Sequence, residues 1–281
     1  MNSRLRGEEL SQLARLMFDA CANKWYAAFG LEVFAGILAL ILDLINLPSF
    51  LAFSGALVGL TLLSIAYYLR LRFEDQFHSA ETMRRQSVFT EALGWPLSTV
   101  QYSEWQRKAG KRIRAKLKTT PRESDFYETQ QPVGADRLAE MTAESAFYTR
   151  QLYLILRWWA WALFVVAGAV FILVTLTTLV SPLPDNVRLL VAKALYSFIT
   201  LVLSANLLGW ALKLGRLAST IQEVEESLER LKNTSTLDVP QVMRLVSEYN
   251  CQVVDGIPIH SWLFLRWHDE IRDLWENRLR Q

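Results

Sequence analysis

Residues Trp158 to Val180 contain no Asp, Glu, Lys, Arg or His. As a helix rising ~1.5 Å per residue, that run is about 35 Å long, enough to cross the ~30 Å hydrocarbon core of a bilayer. Trp158, Trp159 and Trp161 stand at its start, and indole rings favour the headgroup level. Three more apolar runs accompany it, at residues 26–47, 50–69 and 187–212. The first is the least apolar, with Glu32 near its start and Asp43 near its end. Pro48 stops it and leaves room only for a tight turn into the second. Ser181-Pro182-Leu183-Pro184-Asp185-Asn186 makes the same kind of turn between the third and fourth. The pattern predicts an all-α integral membrane protein. Its four transmembrane helices form two hairpins, with helical cytoplasmic extensions and a coiled-coil segment.

Composition agrees with a chain that is part membrane and part water-exposed. Hydrophobic residues make up 52%, high for a soluble protein, and charged residues 21%, high for a transporter made only of spans. The net charge of +2 constrains little, but its placement gives an orientation. The 47–49 turn holds no Lys or Arg and neither does the 181–186 turn, whereas Arg15, Lys24, Arg70, Arg72, Arg150, Arg157, Lys213 and Arg216 flank the opposite ends. By the positive-inside rule both termini are cytoplasmic. The expected divisions are an amphipathic helix at 1–25, a first hairpin at 26–69, and a middle helical region at 70–157. A second hairpin at 158–212, a rod at 213–233 and C-terminal helices at 234–281 complete the chain. No secretory leader is visible at the N-terminus. Cys21 and Cys251 suit neither a disulfide framework nor a metal site and are expected as core thiols.

The fourth run passes into a different pattern without a breaker. No Pro occurs from Val187 to Leu237. Leu214, Leu217, Ile221, Val224, Leu228 and Leu231 alternate spacings of three and four, a heptad seam. Gln222, Glu223, Glu225, Glu226, Glu229 and Arg230 are expected on the polar side. The prediction is one unbroken helix from span to rod, with the seam as a meeting place for subunits. Tethering of a cytoplasmic domain is the plainer alternative.

Charges within spans are costly and usually face a bundle interior or water. Glu32, Asp43, Lys193 and Asn206 are therefore candidate pore-lining residues. Asp43 and Lys193 lie at similar depths, so a salt bridge or a charged outer mouth is one reading, and snorkelling to headgroups is the other. Between Trp105 and Arg122 the chain is basic and free of acid, and Arg107, Lys108, Lys111, Arg112, Arg114 and Lys116 form a candidate ligand-binding run. A phosphorylated ligand, anionic lipid and a merely solvated face all remain open. The small-residue pair Gly55 and Gly59 has the spacing that allows close helix approach.

Nothing nominates catalysis or a cofactor. The three histidines form no metal-binding helix, and no nucleophile elbow, phosphate loop or dinucleotide fingerprint is present. The chain is expected not to be an enzyme.

Three short stretches carry a resemblance. They are Glu91-Ala92-Leu93-Gly94-Trp95-Pro96 after the second run, Glu144-Ser145-Ala146-Phe147-Tyr148 before the third, and Ile257-Pro258-Ile259-His260-Ser261-Trp262-Leu263-Phe264 near the end. With the four-span layout they resemble the SMODS-associated four-transmembrane effectors of bacterial conflict systems. Gly-Trp-Pro stands where that family tends to have Pro-Trp-Asn. The first hairpin is also similar to SLATT membrane domains. The resemblance implies an anti-phage effector of the bacterial inner membrane, a homo-oligomeric pore in the lipid bilayer. Its gate would answer a cyclic or linear oligonucleotide second messenger made by a partner synthase. The alternative from the residues alone is a non-conducting scaffold that recruits a soluble partner through the coiled coil and basic run.

Overall fold

The computed structural model describes residues 3–45, 48–120, 127, 129–232 and 237–280, without the side chains of 3–6, 43, 44 and 204. Among the described residues there are eight α-helices and no strand: α1 (Ser3–Leu44), α2 (Ser49–Leu93), α3 (Thr99–Thr119), α4 (Ala135–Val180), α5 (Asp185–Ser204), α6 (Leu207–Lys232), α7 (Val239–Val254) and α8 (Ser261–Leu279). Helices of this length, with no interior Pro in α1, α2 or α4, follow from the unbroken apolar and amphipathic patterns. Two compact units divide the chain. A core unit comprises Met1–Asn23, Phe73–Leu154 and Leu214–Gln281, and an apolar-helix unit comprises Lys24–Arg72 and Ile155–Lys213.

The core unit buries the faces that period-3.6 patterning marks out. Leu10, Leu13, Ala14 and Met17 of α1 pack with Ala80 and Met83 of α2, Leu97, and Trp105 and Ala109 of α3. Each fully buried Leu or Met contributes about 1.5–3 kcal/mol. Ser98 caps α3, its hydroxyl accepting from the Gln101 N–H at 3.5 Å. Gly94 ends α2 at φ 68°, a left-handed conformation in which glycine carries no Cβ penalty. The Gly134 N–H then donates to the Ala92 carbonyl at 2.9 Å, fixing the start of α4 beside the end of α2.

Three sequence expectations change here. Leu214, Leu217, Ile221, Val224 and Leu228 are all buried inside the core unit, and Leu231 half-buried. The seam expected to join subunits is thus occupied within a single chain, because a heptad stripe fits any apolar neighbour and this chain supplies its own. Glu225, expected on the polar side, is only 2% exposed. Cys21 is buried as expected, but Cys251 is exposed.

In the apolar-helix unit a Cβ on Gly55 would overlap the Leu42 side chain, and one on Gly36 the Leu201 side chain. Both glycines therefore mark close helix approach. Gly59, its partner in the sequence motif, has nothing within 4 Å. Trp25 stacks on Phe29 at 5.7 Å and meets Trp210 edge-on at 5.7 Å. An apolar cleft of about 370 Å³ lies among Phe29, Val33, Leu163, Val166, Phe198 and Leu201.

The expected unbroken rod is interrupted. α5 ends at Ser204 and α6 begins at Leu207, with Asn206 at φ 51° between them. Asn is among the few non-glycine residues that enter this conformation readily. Its carbonyl still accepts from the Trp210 N–H at 2.9 Å, so α6 starts at once. The Asn206 side chain lies against Gly209, where any Cβ would collide with it.

Candidate functional site

The basic run lies on α3, whose apolar residues Trp105 and Ala109 are buried and Ile113 and Leu117 half-buried. That packing turns the opposite face outward. Arg107, Lys108, Lys111, Arg112, Arg114 and Lys116 are all exposed. Gly110, at φ 77°, kinks the helix between Lys108 and Lys111. Arg107 pairs with Glu104 at 3.3 Å, an exposed pair of small energetic weight. The Arg114 Nε donates to the Gly110 carbonyl at 3.3 Å. The face is an exposed cationic surface.

A second polar group lies inside the core unit, and sequence reasoning missed it. Arg84 of α2 donates to Glu81 at 3.0 Å and to the Asn250 Oδ1 of α7 at 2.8 Å, with its guanidinium over the Tyr249 ring at 5.5 Å. Arg85 donates to the Asn250 carbonyl at 3.0 Å. The Tyr249 hydroxyl donates to the Ser145 carbonyl at 3.2 Å and lies 2.9 Å from the Thr149 Oγ1. Burial acts to lower the Arg84 pKa, but the adjacent Glu81 carboxylate outweighs it and the guanidinium stays charged. Burial raises the Tyr127, Tyr153 and Tyr249 hydroxyls, keeping them neutral. Arg84, Arg85, Thr142, Ser145, Tyr249 and Asn250 border a cavity of about 10 Å³. That is room for about one water molecule and far too little for a nucleotide. The cluster joins α2, α4 and α7 and offers no activated nucleophile.

A third constellation centres on Glu225 of α6. Its carboxylate accepts from Arg150 of α4 at 2.9 Å and from Arg278 of α8 at 2.7 Å. Arg278 also reaches Glu229 at 3.0 Å. Both guanidinium groups lie over the Phe147 ring. Burial nonetheless holds the Glu225 carboxyl above its ordinary pKa, against the pull of Arg278 and Arg150. The local signal was slight: one acid at a position flanked by apolar Val224 and Leu228.

Three of the four candidate pore-lining residues have described side chains. Glu32 takes a bidentate ion pair from Arg70, at 2.7 and 2.6 Å, and Arg70 also lies over the Trp25 ring at 5.9 Å. Lys193 is exposed on α5, and Asn206 forms the break after that helix. The Asp43 side chain lies outside the described residues, and with it the expected pairing to Lys193. Among the described residues no group of three His, Cys, Asp or Glu side chains is placed to hold a metal.

Together these features define an all-helical chain with four helices long and apolar enough to cross a membrane, the make-up of a multi-pass membrane protein. No protein-family model matches the chain, and neither a curated protein nor a solved structure matches it.

Proposed function

We propose that this chain is a membrane effector of a bacterial anti-phage defence system. Its apolar helices cross the inner membrane as two hairpins, with both termini in the cytoplasm. Several copies assemble around an ion-conducting path gated by a nucleotide second messenger, and conduction depolarises the membrane. The observation that carries the reading is the outward apolar surface: between 0% and 11% of the most apolar windows of the four helices is buried. Such surface requires lipid or further copies of the chain. The cleft within one copy is lined by apolar side chains, so an aqueous path needs more than one copy. The exposed cationic face of α3 is the candidate receiver of the messenger's phosphates, and the resemblance to four-span conflict effectors supports the nucleotide class.

Ion and dye efflux from liposomes holding the purified protein tests this, with a panel of cyclic and linear oligonucleotides. Oligonucleotide-dependent efflux is expected. The triple variant Lys111→Ala, Arg112→Ala, Arg114→Ala should insert normally and lose about tenfold in sensitivity per charge-assisted bond removed. Absence of efflux under every condition, with insertion verified, would replace the pore with the non-conducting scaffold.

A further inference from the structure

We infer that the first turns of α8 form an interfacial anchor that lies on anionic phospholipid headgroups at the cytoplasmic side of the bilayer. The inference rests on the membrane reading above and adds a lipid contact made by the C-terminal helix, far in sequence from any span. Its position comes from α1. The Ser261 N–H donates to the Asp19 Oδ1 at 3.2 Å, and the His260 Nε2 lies 3.3 Å from the Asn23 Oδ1. α1 continues without a break from Asn23 into the apolar run at Tyr26, a rise of about 5 Å. The beginning of α8 is thereby tied to the stretch of α1, Asp19 to Asn23, that immediately precedes its apolar run.

The chemistry of the exposed face suits a headgroup contact. Leu263 points into the core unit and anchors the turn, while Trp262 is 56% and Leu265 72% exposed. With exposed Arg266 they sit at spacings of three and four, so all three share one face. An indole, an aliphatic side chain and a guanidinium side by side are what an interfacial helix presents to anionic lipid. Between Asp255 and Asp269 there is no acid. The same face then turns acidic at Asp269 and Asp273, both exposed, and anionic headgroups would repel it there. The favourable contact is therefore confined to the start of the helix.

The test places an environment-sensitive fluorophore on single cysteines in the full chain, in a Cys251→Ser background that leaves buried Cys21 in place. Leu265→Cys reports the anchor. Asn277→Cys reports the far end of α8, about 18 Å away. Leu173→Cys reports the third apolar run. The protein is reconstituted into phosphatidylcholine–phosphatidylglycerol vesicles with and without bromine on the acyl chains. Bromine should quench most of the fluorescence at positions 173 and 265 and leave position 277 unchanged. Loss of phosphatidylglycerol should weaken quenching at 265 alone. Quenching at 173 without quenching at 265 would overturn the anchor and leave the membrane reading intact. No quenching at 173 would overturn both. Equal quenching at 265 and 277 would also overturn the anchor, since the contact would not be confined to the first turns.

Discussion

The Nε of Arg150 donates to the buried Oε1 of Glu225 at 2.9 Å, linking α4 to α6 through a carboxylate that Arg278 of α8 also holds. Removing the acid takes the paired carboxylate from Arg150 and leaves Arg278 with only the exposed Glu229 as counter-charge, the two guanidinium groups still lying over Phe147. Breaking a buried ion pair from one side costs about 3–5 kcal/mol. Glu225→Ala should therefore lower the unfolding midpoint of the purified protein in detergent sharply, as read by circular dichroism. Glu229→Ala, which removes an exposed partner of Arg278, should cost about 1 kcal/mol or less. Equal effects from the two would show that the buried carboxylate has no special weight.

Gly256 lies against the hydroxyl of Tyr153, which is buried between α4 and the turn after α7. A Cβ there would also meet the Val253 carbonyl at 3.0 Å. Gly256→Ala should destabilise by about 1–3 kcal/mol, the usual cost of overpacking. Tyr153→Phe in the same chain removes the nearest clashing atom, so a double-mutant cycle should show partial recovery. Additive losses would place the cost elsewhere.

Asn206 owes its place to its backbone conformation. Asn206→Gly should leave unfolding nearly unchanged, while Asn206→Val should cost about 1–2 kcal/mol, the penalty of a branched residue in the left-handed region. Thermal denaturation of both variants in one detergent decides this. A neutral Val variant would mean that α5 and α6 can join as one helix.

Glu140 supplies a pH-dependent tether. Burial acts to raise its pKa, but hydrogen bonds from Lys232, Thr129 and Gln131 outweigh it and the carboxyl titrates below its ordinary 4.5. A folded value below the unfolded one means that the stabilisation is complete above the unfolded value and is lost as pH falls through the folded value. Glu225 runs the other way: its raised value makes stability fall as pH rises from the unfolded to the folded value. Glu140→Gln should therefore be less stable than the parent at neutral pH and match it in strong acid. A gap that persists unchanged into acid would remove the carboxylate from the tether.

Several features were legible in the residues taken one after another. The apolar runs, Pro48 and the proline-rich turn before α5 all rest on local hydropathy and backbone preference. The amphipathic helix expected at the N-terminus likewise buries Leu10, Leu13 and Met17. The basic run was legible as charge, and its exposure follows from the Trp105, Ala109, Ile113 and Leu117 stripe behind it. The heptad positions from Leu214 to Leu228 were legible as apolar, but not the identity of what covers them.

Length, charge-free runs and period determined by themselves that this protein is helical and carries four apolar helices of membrane-spanning length, because those properties depend on neighbours a few residues apart. Tertiary structure alone decided that Glu225 is buried between Arg150 and Arg278, that Arg70 neutralises Glu32, and that His260 and Ser261 settle beside Asn23 and Asp19. It also decided that the seam closes within one chain. The physical reason is that burial of a charge, or the filling of an apolar stripe, is settled by partners tens to hundreds of residues away, and spacing along the chain carries no record of them.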